Sequence, residues 1–147
     1  MCTRTDTLSF ELPRSVEAPG LARILVKENI CAEHGKAAAA ATQLLATELT
    51  TCAVLYGSPP IRLELECSED RLSVSVSHST SADDVAEVPI DEAGGLRSAL
   101  LDKLARSWGV AQIDGGRRLW CVLPTGAPPG PFVPRQRTSS RPAPSRW

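Results

Sequence analysis

Two neighbouring stretches alternate apolar and polar residues with a period of two. Ile61-Arg62-Leu63-Glu64-Leu65-Glu66-Cys67 sends Ile61, Leu63, Leu65 and Cys67 to one side and Arg62, Glu64 and Glu66 to the other, the pattern of a strand with one covered face. Arg71 to His78 repeats it with Leu72, Val74, Val76 and His78 on the covered side, and Ser68-Glu69-Asp70 is short enough to join the two as a hairpin. Parity therefore puts His78 at a strand end, on the side where helices pack. Leu8 to Leu12 alternates in the same way before Pro13, predicting a short strand at a sheet edge.

Helical spacing takes over between these strands. Leu21, Ile24, Leu25 and Glu28 follow it, with Pro19 in the first turn, and the helix is expected to end near Gly35. A second helix is predicted from about Lys36 to Tyr56. The alanine run Ala37 to Ala41 favours it, Leu44, Leu45, Leu49 and Val54 give it a flank to press on a sheet, and Gly57-Ser58-Pro59-Pro60 stops it. A third helix follows Gly94-Gly95, with Leu96, Leu100, Leu101, Leu104 and Trp108 as its stripe. Val110 to Ile113 and Arg118 to Leu123 read as a closing hairpin through Asp114-Gly115-Gly116. Ser79 to Asp91 is a polar loop long enough to be a lid or a binding loop. The order predicts an α/β two-layer sandwich, a mainly antiparallel sheet covered on one face by three helices.

Composition narrows the class. The 147 residues suit one domain, and 42% hydrophobic with 22% charged residues is ordinary for a globular protein. Only 4% are aromatic, so aliphatic side chains must fill the core. No apolar run is expected to reach the length of a bilayer span, and no secretory leader is read at the N-terminus, so the expected location is cytoplasmic, with no membrane contact. The net charge of −1 conceals a tail beyond Thr125 with Arg135, Arg137, Arg141 and Arg146 and no acidic residue. The body is correspondingly acidic, which argues against a nucleic-acid-binding core. Residues 1–7 read as an extension, 8–124 as the domain and 125–147 as a disordered Pro- and Arg-rich tail. The five cysteines show no short paired spacing, and Cys31 with His34 offers only two ligands, so neither a disulfide framework nor a zinc site is predicted.

Candidate chemistry centres on the second helix. Glu48 and Cys52 are four apart and share a helical face. Alone, Glu48 reads as a solvated surface carboxylate, Cys52 as a small buried filler and His78 as a hydrogen-bonded strand-end histidine. Glu48-Leu49-Thr50-Thr51-Cys52-Ala53-Val54, however, resembles the N-box of the histidine-kinase/Hsp90-like ATPase superfamily (the GHKL ATPases). Together with Phe10-Glu11-Leu12-Pro13, Leu104-Ala105-Arg106-Ser107-Trp108-Gly109-Val110 and Gly116-Arg117-Arg118-Leu119-Trp120, it makes residues 8 to 124 most similar to the anti-sigma-factor serine kinases common in actinobacteria.

That resemblance implies a Bergerat-type ATPase fold and, in active members, protein serine/threonine kinase activity with ATP and Mg²⁺. It implies a catalytic glutamate at Glu48 and a Mg²⁺-binding position at Cys52, where the family has asparagine. The adenine-binding aspartate falls on His78, its partner glycine on Thr80, and the phosphate turn on Gly94 and Gly95, with Arg97 where a further glycine is usual. A thiol suits hard Mg²⁺ badly, and an imidazole lacks the carboxylate's geometry. At roughly 1.5–3 kcal/mol for each lost contact, a micromolar site weakens by about two to four decades. The expected protein is a regulator acting by protein–protein binding, with weak or lost ATP binding. Its expected partner is a sigma factor, an antagonist or a paralogous kinase. The alternatives are an ATP-dependent anti-sigma kinase with an atypical site and a non-catalytic dimerisation subunit.

Overall fold

In a computed structural model, residues 7–69, 71–81 and 87–124 are described. The expected N-terminal extension, the basic tail with Trp147, Cys2, and Asp83 and Asp84 of the polar loop lie outside them. Five strands and three helices follow in the order β1 (Thr7–Leu12), α1 (Ala18–Asn29), α2 (Ala32–Tyr56), β2 (Ser58–Ser68), β3 (Arg71–Ser79), α3 (Ser98–Leu104), β4 (Ser107–Ile113) and β5 (Gly116–Leu123). Thr7 is thus already strand, one residue before the expected boundary.

The strands form one sheet in the order β1-β2-β3-β5-β4, every neighbouring pair antiparallel. The period-two pattern is realised in the register. Leu65 stands opposite Val74, and Val74 opposite Cys121, all three fully buried. α2 lies across β2, β3 and β5 on this face, α1 covers the β1–β2 side, and α3 packs beside β4. The molecule is a two-layer α/β sandwich whose core lies between the sheet and α2, around Leu45, Leu49, Leu63, Val76 and Leu119.

Several helical expectations need correction. The break between α1 and α2 falls at Ile30-Cys31 and not near Gly35, which sits inside the first turns of α2. Cys31 is in an extended conformation and its sulfur accepts from the His34 N–H, starting the helix there and not at Lys36. In α1 the covered side chains are Ala18, Ala22 and Val26, whereas Leu21 and Ile24 are 39% and 48% exposed. Alanines on the contact side let α1 approach α2 closely, a geometry that leucine and isoleucine would prevent. Leu44 likewise turns outward, leaving Leu45 and Leu49 to face the sheet.

The third helix is shorter than its stripe suggested. α3 ends at Leu104 and the backbone N–H of Arg106 donates to the Val122 carbonyl, drawing the chain into the sheet before Trp108. Trp108 is therefore a strand residue, fully buried, and its indole N–H donates to Asp102 at 2.8 Å, pinning α3 to β4. By length and composition α2 does qualify as a bilayer-crossing helix, contrary to the expectation that no run would. Its alanines raise its apolar character without bulk, and of its four leucines Leu45 and Leu49 are buried in the core while Leu44 and Leu55 are exposed.

Candidate functional site

The C-terminal half of α2, the end of β3, the start of β5 and the turn before α3 meet at one end of the sandwich. Glu48 and Cys52, one helical turn apart, both face into this region. The Glu48 carboxylate lies 3.6 Å from the Arg97 guanidinium, its own side chain mostly covered and that of Arg97 mostly in solvent. Such a half-exposed pair contributes under about 1 kcal/mol.

Cys52 is 1% exposed and sits within electrostatic reach of Arg117 and Glu48. Burial pushes its thiol pKa up to about 12; Arg117 opposes the shift and Glu48 adds to it. At neutral pH the group is a neutral thiol, a poor ligand for Mg²⁺ in both charge and softness. Arg117 was not singled out from sequence. It lies opposite His78 in the β3–β5 register, on the helix-covered face, and is almost completely buried. Its parity with Leu119 and Cys121 was the signal that could have found it.

His78 sits where the strand pattern predicted, buried at the end of β3. Its Nδ1 is 2.7 Å from the Ser79 carbonyl oxygen, which can only accept, so that nitrogen carries the hydrogen. The ring presses on the backbone of Gly57 at the end of α2. A Cβ there would overlap the imidazole, with Cδ2 at 2.8 Å and two ring atoms closer still. His78 is thus a wedge between the helix end and the sheet. Thr80 is exposed, with its backbone N–H donating to the Gly115 carbonyl in the β4–β5 turn at 3.0 Å.

The glycine turn is organised by internal bonds. Gly94 has φ +77°, a conformation that glycine adopts without strain. The Gly95 N–H donates to Glu92 O, the Leu96 N–H to Pro89 O and the Asp91 N–H to Leu96 O. The Asp91 carboxylate accepts from both the N–H and the hydroxyl of Ser98 at the start of α3, at 2.7–2.9 Å. Tyr56 adds a hydroxyl bond to the Ala93 carbonyl, tying the turn to the end of α2. Three N–H groups that an anion-cradling turn would present, those of Gly95, Leu96 and Ser98, therefore already donate within the protein.

Of the sequence-predicted residues, the structure pairs Glu48 with Arg97 and sets Cys52 within electrostatic reach of Glu48. It places His78 on the same covered face and Gly94-Gly95 on the adjoining turn, while Thr80 is turned to the β4–β5 loop. Compared with family models and with curated proteins, the chain matches none.

Proposed function

We propose that this chain is a regulatory protein of the anti-sigma-kinase type, with a Bergerat-like scaffold, that acts in the cytoplasm by binding another protein and binds ATP weakly or not at all. The observation that carries this reading is Cys52. At the position that the resemblance assigns to the Mg²⁺ ligand stands a buried thiol held neutral well beyond physiological pH. The imidazole wedged against Gly57 and the internally bonded N–H groups of the glycine turn support the same conclusion. Glu48, the catalytic glutamate by resemblance, is engaged by Arg97.

Support for a protein partner comes from α1. Leu21 and Ile24 lie three residues apart on one helical face and are substantially exposed, with Val16 just before the helix 91% exposed. A sigma factor, an antagonist or a paralogous kinase that docks a hydrophobic surface there would cover them. The same residues support a second reading, a dimerisation subunit without catalysis.

Calorimetry of the full chain with millimolar Mg·ATP is expected to show no saturable heat; a saturable isotherm at micromolar nucleotide overturns the reading in favour of an atypical kinase. Immobilised chain is expected to retain one protein from its own cells, and a Leu21→Glu, Ile24→Glu double variant to release it. Light scattering separates the second reading, because a dimerisation subunit doubles its mass and the double variant returns it to monomer.

A further inference from the structure

Far from the site just described, the start of α2 meets the end of β2. Cys31 caps the helix, His34 lies in its first turn, and Cys67 is on the covered face of β2, 33 residues further along the chain. The His34 Nδ1 is 3.2 Å from the Cys31 sulfur and 2.9 Å from the Cys67 sulfur, and the three atoms all lie within 4.8 Å of one another. His34 and Cys67 are buried, while Cys31 is partly exposed and opens the group to solvent. From sequence, Cys31 and His34 offered only two ligands; folding supplies the third.

We propose that Cys31, His34 and Cys67 form a binding site for a thiophilic metal ion of the zinc type, with two sulfur ligands and one nitrogen. Two thiols and an imidazole are soft-to-borderline donors, the set that suits Zn²⁺ and excludes Mg²⁺ and Ca²⁺. With ordinary metal–sulfur and metal–nitrogen bonds of about 2.3 and 2.05 Å, a tetrahedral centre needs roughly 3.6 Å between sulfur and nitrogen. The observed separations are 0.4–0.7 Å shorter (3.2 and 2.9 Å), so a small outward movement of the Cys31 side chain and the ring admits the ion. Binding displaces the two thiol protons to solvent and takes the Nδ1 lone pair of a neutral imidazole. The resulting centre carries no net charge, as a mostly buried site requires. Water takes the fourth position on the Cys31 side.

The ion would clamp the α1–α2 corner to the end of β2. Eighteen residues of helix separate His34 from Cys52, about 27 Å, so the clamp acts independently of the proposed nucleotide-site loss. Its test stands whether or not ATP binds.

Cobalt(II) titration of the reduced, metal-free full chain tests the proposal. One equivalent is expected to produce the visible bands of tetrahedral cobalt and a near-ultraviolet charge-transfer band of two-thiolate intensity, both bleached by one equivalent of zinc. Cys31→Ser keeps a good helix cap and so leaves the fold intact. It is expected to halve the charge-transfer intensity and weaken binding by at least about 100-fold, since even an outer partner of a metal ligand is worth roughly 10–100-fold. His34→Asn is expected to weaken binding similarly, and Cys2→Ser to leave the spectrum unchanged. Absence of tetrahedral bands in the parent chain overturns the proposal. So do bands that survive both Cys31→Ser and His34→Asn, or bands that vanish in Cys2→Ser.

Discussion

Replacing Gly95 with alanine drives a methyl group into the Pro89 carbonyl, inside contact distance of its oxygen and 2.9 Å from both its carbonyl carbon and its Cβ. Carbon atoms at their optimal separation sit about 3.5–4.0 Å apart, so the turn must open by roughly 0.6–1 Å. The obstacle is backbone and proline ring, neither of which can swing aside as a long side chain does. Opening strains the Leu96 N–H bond to Pro89 and the Asp91 N–H bond to Leu96, 3.0 and 2.7 Å in the native turn. Each is worth about 1 kcal/mol net, and more if a buried group is left without a partner. A loss of about 2–4 kcal/mol follows, or roughly 10 °C in melting temperature for a domain of this size. Thermal and denaturant unfolding followed by circular dichroism read it directly, with an unchanged denaturant slope showing that only stability has moved. A Gly95→Ala variant that unfolds together with the parent refutes the packing role, most directly if it also abolishes a Mg·ATP affinity that the parent possesses. In that event the glycine's smallness serves a phosphate and not the packing of its own turn.

Other outcomes follow from single sites. Cys52 and Cys121 ionise near 9.0 in an unfolded chain and near 12 in the fold, both because of burial. Above pH 9 the unfolded state releases protons that the folded state keeps, so stability is full below that pH and falls towards pH 12, by up to about 1.4 kcal/mol per pH unit for each thiol; Cys52→Ala is expected to halve that slope in denaturant unfolding. The buried Thr50 hydroxyl has no hydrogen-bond partner among the described residues, and Thr50→Val is expected to stabilise the protein by about 1–2 kcal/mol in the same assay. Trp108→Phe removes the donor to Asp102 and is expected to cost about 2–3 kcal/mol, with Asp102→Asn losing less because an amide oxygen still accepts.

What was legible in the sequence was whatever a short-range period encodes. Strict alternation through Ile61 to Cys67 and Leu72 to His78 gave the hairpin, the covered face and the place of His78. Spacing along α2 gave the shared face of Glu48 and Cys52. Reading by size failed in α1, where Leu21 and Ile24 looked like the core stripe and the smaller Ala18, Ala22 and Val26 form it. Close helix contact selects small residues, and hydrophobicity alone cannot report how near two helices come. Trp108 continued the spacing of a helix that the sheet had already ended, because pairing of Arg106 with Val122 outweighs local periodicity. Pairings across long separations were invisible for another reason. Nothing local in Cys67 points to His34, nor in Arg97 to Glu48; only the assembled sandwich brings them together.

The imidazole resting on Gly57 limits what can be exchanged at this end of the sandwich. Trimming His78 to an aspartate would leave a hole where the ring stood, walled by a residue with no side chain to fill it. A smaller side chain at position 78 therefore demands a coordinated change at the helix end. Ring and glycine are a matched pair, and neither is exchanged by itself without loss.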